Sequence, residues 1–409
     1  MIYLVIIVSL MILACRYDFR DYTINKQFWF NIVLAALILL AGFRYRMGAD
    51  SINYTYSFYY DTPYLWELKS DDFSSGFEPL FLLMNSFVKS IGGKFYFVQL
   101  LEALFVNILV VNYIKKHSRY VFSCILLYFL WIYPYYMTEE MRASMAVALC
   151  LYANDYILEK KWVKGISLIL ISVFFHYSAI VLLLTPLFVY LRFNVLGYIT
   201  LFLSLFLGFK IQQVFGDYIL LLGIGGAVGE KAEAYANNDL LFEYRITLIG
   251  IITTKVVYII YSIIAFYYIK LKSLQNDRYL LQMQPFVMTG LIFVLFSIPM
   301  PISYRYVHFY EVYFLFFFVH LFVDLVKDNK MHSVAVSLVK CFVLSVPLLY
   351  GLSYEVYRAN YSSSNWSHPV YGYTRFYPYA SIFDKTIDEE REFFYRSWEI
   401  GMIVPKDKY

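Results

Sequence analysis

The chain has 409 residues, of which 61% are hydrophobic, 21% aromatic and only 16% charged, with a mean hydropathy of +0.58. That balance lies far outside the range of soluble domains, so it excludes a water-soluble enzyme and points to an all-α, polytopic integral membrane protein. The formal net charge of +4 excludes little, because in a membrane protein the side on which each charge falls matters more than the sum; nucleic acid is not an expected partner.

The first apolar run covers residues 1–15, with no basic stretch before it and a basic cluster after it. It reads as an uncleaved first helix with its N-terminus outside. Further runs follow at 28–43, 94–114, 120–137, 141–158, 165–175, 178–191, 194–215, 246–269, 279–298, 306–325 and 333–352. At roughly 20 residues per span this gives about twelve transmembrane helices, with eleven to fourteen as the working range. The segments then assigned to the inside carry Arg16, Arg20, Lys26, Lys115, Lys116, Arg119, Lys160, Lys161, Lys164, Arg192, Lys270, Lys272, Arg278, Lys327 and Lys330, a strong positive-inside pattern. Counting 78–93, "EPLFLLMNSFVKSIGG", as a span would invert everything downstream, so this stretch is read as an interfacial helix on the outer surface. The pair 165–175 and 178–191 is short for full spans, and its turn "FFHYSA" suggests a polar recess.

The expected organisation is a membrane domain over 1–352 and an aromatic-rich extracytoplasmic tail, 353–409, packing on the outer face. The membrane domain carries an outer loop with the interfacial helix at 44–93 and a second outer loop at 216–245. The tail is dense in Tyr, Phe and Trp, as is the loop segment "NYTYSFYYDTPYLWE". The cysteines, Cys15, Cys124, Cys150 and Cys341, sit in or beside apolar runs without metal-ligand spacing and read as packing residues.

Arg44, Arg46, Arg142 and Arg305 each abut the outer end of a predicted helix. A planar guanidinium there can hold phosphate oxygens bidentately, as a lipid diphosphate would present them, although a single interfacial arginine serves equally well as a headgroup or acid partner. Asp50, Glu78, Glu139, Glu140 and His176 share that face, and each could take a proton from a sugar hydroxyl. Against this, Glu139 and Glu140 also suit the start of the helix 141–158, and His176 also suits a hydrogen-bonded turn. Within the apolar runs, Glu102 with Lys255, or Glu311 with Lys340, are expected to pair, since an isolated charge there is costly. No GxxxxGKS, GxGxxG, HExxH, CxxC or GxSxG motif occurs, and "GIGGAVG" at 223–229 reads as a turn. "SDD" at 70–72 offers too few oxygens for a hard cation, so neither a metal nor another cofactor is expected.

"FRYRMGADSINY" at 43–54 fits FR-x3-G-x-D-x3-Y. "FEPLF", "MRASMAVALCLYANDYILEKKW", "SVFFHYSAIVLLLTPLF", "SYRYVHFYEVYF" and a "YPY" tail follow in order. Together these resemble the EpsG family of Wzy-like polysaccharide polymerases, most strongly over 43–190. The resemblance implies a bacterial inner-membrane protein with a GT-C-like multi-helix architecture. It also implies polymerisation of undecaprenyl-diphosphate-linked repeat units of an exopolysaccharide, capsule or O-antigen on the outer face, releasing undecaprenyl diphosphate. Its partners would be the lipid-linked donor and acceptor, membrane lipids, and flippase and chain-length regulator proteins.

The motif positions are Arg44, Asp50, Tyr54, Glu78, Arg142, His176 and Arg305, with Arg46 an addition of this chain. On that reading Arg44 and Arg46 hold the donor diphosphate with Tyr54, Glu78, Glu139 and Arg305 around the substrate, while Arg142 and one of Asp50, Glu140 or His176 carry the chemistry. Asp50 is favoured as the base. Another lipid-linked glycosyltransferase or glycan ligase, or a glycan transporter, remains an alternative.

Overall fold

The computed structural model describes residues 2–48, 50–73, 77–218, 255, 257–272, 278–299, 301–327 and 379–383. Among them there is no strand, only one isolated antiparallel bridge between Arg44 and Ser381. The expected features at 219–254, the span 333–352 with Lys330, Lys340 and Cys341, and the tail outside 379–383 lie beyond the described residues.

Helix α1, Ile2–Ala14, runs on through a π turn, Cys15–Phe19, and α2, Lys26–Gly42, follows it. A short helix α3, Asp50–Tyr56, and α4, Pro79–Ser90, follow. Next come α5, Phe95–His117, and α6, Val121–Trp131. The run expected as one helix over 120–137 is broken because Pro134 cannot donate a backbone hydrogen bond and clashes with the preceding turn, so the chain restarts as α7, Tyr133–Thr138. Helices α8, Met141–Leu158, and α9, Trp162–Phe175, then pack as an antiparallel pair.

After His176 the chain winds as a 3-10 helix, Tyr177–Leu184, into the single turn α10, Thr185–Phe188. Beyond it lie α11, Val195–Tyr218, α12, Val257–Lys272, α13, Arg278–Gln282, and α14, Gln284–Phe296. A 3-10 helix, Pro301–Phe309, leads into α15, Glu311–Lys327.

By length and composition, Ile2–Phe19 and Phe95–His117 can each cross a membrane, and Ser303–Phe309 with Glu311–Lys327, bent by 58°, makes a third if the pair is one span. The other apolar helices of the described residues are shorter, among them Lys26–Gly42, Val121–Trp131, Trp162–Phe175 and Gln284–Phe296. Large apolar side chains on the outer faces of α1, α9 and α11, such as Leu4, Ile12, Phe174, Phe202 and Phe206, are exposed. Lipid rather than water suits such a surface.

Two polar ends bracket this apolar body. At one end Lys26 faces Asp18, Lys116 and His117 both meet Asp155, Arg119 pairs with Asp324, and Lys327 binds Asp21. Tyr113 also donates to Asp155 at 2.9 Å. This end joins the termini of five helices. The register of α2 against α5 is fixed at both ends: Lys115 donates to Gln27 at 2.5 Å, and Gly42 lies against Leu100, where an added Cβ would stand 2.6 Å from Leu100 Cδ1. The chain therefore leaves α2 and enters α5 at the same end, and α4, only 12 residues long, returns it there.

The expected pairing of Glu102 with Lys255 is corrected, while that of Glu311 with Lys340 falls on Lys340, outside the described residues. Glu102 is partnered by Arg44, 3.7 Å away, and by the Ser144 hydroxyl, because α5 packs between α2 and α8. Lys255 instead donates to Ser297 Oγ at 2.9 Å and lies 3.7 Å from the Tyr304 ring centroid. Glu311 faces His308.

Candidate functional site

The second polar end collects the predicted site residues from five separate stretches of chain. Glu78 is the N-cap of α4 and Pro79 opens that helix, where its missing N–H costs nothing. The Glu78 side chain does not cap its own helix; it reaches across to two other elements. Its Oε2 accepts from Arg142 Nη1 at 2.6 Å. Its Oε1 lies 3.1 Å from His176 Nδ1 and 3.4 Å from the Tyr177 backbone N–H, which it accepts.

Arg142 stands in the first turn of α8, and His176 occupies an extended residue between α9 and the following 3-10 helix. One carboxylate thus ties α4, α8 and the α9 turn together. Burial pushes the Glu78 carboxyl up, but the His176 hydrogen bond and the Arg142 charge outweigh it, bringing the group down to about 2.

Arg142 Nε donates to the Tyr54 hydroxyl at 3.3 Å, and its guanidinium carbon lies 5.6 Å from the Tyr54 ring centroid and 5.0 Å from that of Phe77. Burial raises the Tyr54 phenol to about 12 against the lowering pull of Arg142, so Tyr54 keeps its proton at any working pH. Two edges of the guanidinium are therefore held, and among the described residues Nη2 has no hydrogen-bond partner, on a side chain that is 23% exposed. Asp50, the first residue of α3, is exposed and close enough for its charge to act on Tyr54.

The two arginines of the 43–54 motif part company. Arg44 is 2% exposed: its Nη1 donates to the Ala41 carbonyl at 2.6 Å, closing the end of α2, and faces Glu102. So enclosed, the guanidinium sits in the core beside α5 and away from the surface of this end. Arg46 is half-buried on a left-handed turn, φ 47°, with its guanidinium 5.4 Å from the Tyr45 ring.

Gly48 sets this turn. Its φ is +88°, and a Cβ there would lie 2.4 Å from the Thr138 carbonyl oxygen and 2.7 Å from Thr138 Cβ, so only glycine lets the loop lie on α7. Residues 379–383 cover the other side: Tyr45 N–H donates to the Ala380 carbonyl, Ile382 N–H to the Phe43 carbonyl, and Tyr379 hydroxyl to the Leu40 carbonyl.

Glu139 is buried at the end of α7, and Glu140 is the N-cap of α8. Glu140 Oε1 lies 3.7 Å from His308 Nε2, and His308 Nδ1 lies 3.1 Å from Glu311 Oε2. Arg305 is exposed on the same 3-10 helix as His308. Sequence reasoning passed over His308, although its spacing of three residues from Glu311 on a helical stretch was a usable signal. Among the described residues no cluster of His, Cys, Asp and Glu could hold a metal ion.

The EpsG family model matches residues 27–381, which takes in every element of this site. The chain belongs to the EpsG family. Comparison with curated proteins and with solved structures returns no match. Membership in EpsG, together with the apolar helices, makes this a membrane protein of the polysaccharide-polymerase-like kind.

Proposed function

We propose that this EpsG protein is a polysaccharide polymerase that joins undecaprenyl-diphosphate-linked repeat units on the outer face of a bacterial inner membrane, releasing undecaprenyl diphosphate. The observation that carries the reading is the Arg142 guanidinium, fixed through Nη1 by Glu78 and through Nε by Tyr54, at the bundle end opposite the lysine-rich one. The positive-inside rule places that lysine-rich end in the cytoplasm, and the Arg142 end outside.

In this mechanism Arg142, with Arg46 and Arg305 on the same end, receives the donor diphosphate. The acceptor hydroxyl attacks the anomeric carbon as the C–O bond to the diphosphate breaks, and the bonding pair leaves with the phosphate. Preorganised guanidinium donors stabilise that developing charge without reorganising. The leaving group needs no general acid, since a diphosphate is a stable anion at neutral pH. The acceptor proton passes to a carboxylate of the site, Asp50 or Glu140, whereas Glu78 is held ionised in the clamp. Exposed aromatics of the outer loop, Tyr60 and Trp66 among them, offer faces for sugar rings. A GT-C-like arrangement would place this site at the outer membrane boundary, where lipid-linked substrates enter sideways.

Purified protein given one defined lipid-linked repeat should yield a ladder of products differing by one repeat. A single addition would make it another lipid-linked glycosyltransferase, and unchanged substrate would contradict glycosyl transfer altogether.

A further inference from the structure

We infer that His308 and Glu311 form a proton relay behind Glu140, making Glu140 the base of the glycosyl transfer and His308 its positioning partner. The inference rests on the function proposed above and assigns the base within it. The three groups stand in line: Glu140 Oε1, then His308 Nε2 at 3.7 Å, then from His308 Nδ1 to Glu311 Oε2 at 3.1 Å. Their side chains are 14%, 7% and 5% exposed in that order, so exposure falls along the series and Glu140 is its most accessible member.

The imidazole is held from every other side. Tyr135 and Tyr304 place their rings 5.2 Å from it, the latter edge-on at 88°. The Tyr136 hydroxyl donates to the His308 carbonyl at 2.6 Å. Lys255 lies over the ring of Tyr304, 3.7 Å from its centroid. The bend of 58° between Ser303–Phe309 and Glu311–Lys327 turns His308 and Glu311 toward each other.

The site thus divides its acids. Glu78 is committed to Arg142 and His176, and that combination holds it ionised in the clamp. Glu140 faces an imidazole, which can accept a proton and pass one on. In the step, the acceptor oxygen bonds to the anomeric carbon and its proton goes to Glu140, while the bonding pair of the broken C–O bond leaves with the diphosphate. Glu140 then gives the proton to His308 Nε2, and the Glu311 carboxylate, 3.1 Å from Nδ1, balances the imidazolium charge until water removes a proton. Both links are ion-pair contacts without hydrogen-bond geometry, the first at 3.7 Å, and catalytic contacts of this kind often tighten only in the substrate complex.

The experiment compares wild type, His308→Gln, Glu311→Gln and His308→Ala, each purified and reconstituted with a defined lipid-linked repeat, measuring turnover and donor KM separately. The relay predicts that His308→Gln lowers kcat about a hundredfold, the scale of a lost proton-transfer partner, with donor KM within about threefold, and that added imidazole restores part of the His308→Ala rate. Glu311→Gln, which keeps shape and packing, should lower kcat about tenfold and serves if the histidine variants fail to fold.

Unchanged kcat in a folded His308→Gln or Glu311→Gln, or a loss confined to KM, overturns the relay and leaves the polymerase intact. A wild type that forms no glycosidic bond overturns both.

Discussion

Glu78 and Arg142, 64 residues apart, form a 2.6 Å ion pair that joins the short helix after the aromatic loop to the first turn of α8. The carboxylate does more than neutralise: by holding Nη1 while Tyr54 holds Nε, it fixes the orientation of the guanidinium plane.

This pair sets a pH dependence. Because Glu78 is brought down to about 2, its contribution to stability is fully present above the ordinary carboxylate range and is lost as pH falls from about 4.5 through 2. Thermal unfolding of wild type and Glu78→Gln should therefore differ by a constant amount between pH 8 and pH 5, on the order of 3 kcal/mol, and the difference should shrink progressively below about pH 4.5, closing near pH 2. Convergence already at pH 6 would mean that the carboxylate is not held by Arg142 and His176.

Arg44 and Glu102 make the second charged contact, and it belongs to the core. Both side chains are 1% exposed or less, so removing one leaves a buried charge. Glu102→Leu should destabilise by about 3 to 5 kcal/mol, measured as a lower Tm in detergent. The double variant Arg44→Met with Glu102→Leu should recover most of that loss, because replacing a whole buried pair by apolar groups is close to neutral. Turnover per folded molecule should follow the geometry of the 44–50 loop and not the charge of Arg44.

Two glycines offer a matched comparison. Gly48 and Gly92 both have positive φ, but only Gly48 has a neighbour, Thr138, within 3 Å of an added Cβ, while Gly92 has nothing within 4 Å. Gly92→Ala should cost about 1 kcal/mol of backbone strain. Gly48→Ala adds a clash with backbone and should cost at least twice that and lower turnover more than tenfold. Equal effects of the two would mean that the loop does not rest on α7.

Much of this was legible in the sequence, and the failures have identifiable causes. Apolar runs located α1, α2, α5 and α8 to within a few residues, because burial and lipid contact demand long uninterrupted segments. The charge map placed Glu78, Arg142 and His176 on one face but could not pair them, since their contacts cross from α4 to α8 and α9. The direction of Arg44 was not legible, because an arginine at a helix end can turn outward or inward, and here it faces Glu102, a residue on another helix. His308 was missed because 306–325 read as one helix, whereas the chain winds as 3-10 up to Phe309 and bends before Glu311. Pro134 was a visible break signal that the apolar run around it concealed.

The sidedness of the two polar ends is open to direct labelling. Single cysteines at 115–119 and 160–164 should react only from the cytoplasm, and those at 60–73 only from outside. Labelling of 60–73 and 115–119 from the same side would mean that 78–93 crosses the membrane, and would place Arg142 and the lysine-rich end on the wrong faces for the proposed reaction.

The most direct measurement is the rate of glycosidic bond formation by wild type and Arg142→Lys at saturating lipid-linked repeat, with Tm recorded for both. Lysine keeps the charge and can still meet Glu78, but it has no second nitrogen to present while the first is held. The predicted result is a fall of about a hundredfold or more, the scale for losing a preorganised donor to the developing charge, at nearly unchanged Tm. A folded Arg142→Lys protein that polymerises at the wild-type rate and to the wild-type chain length would contradict the account, leaving Arg142 as a structural partner of Glu78 and nothing more.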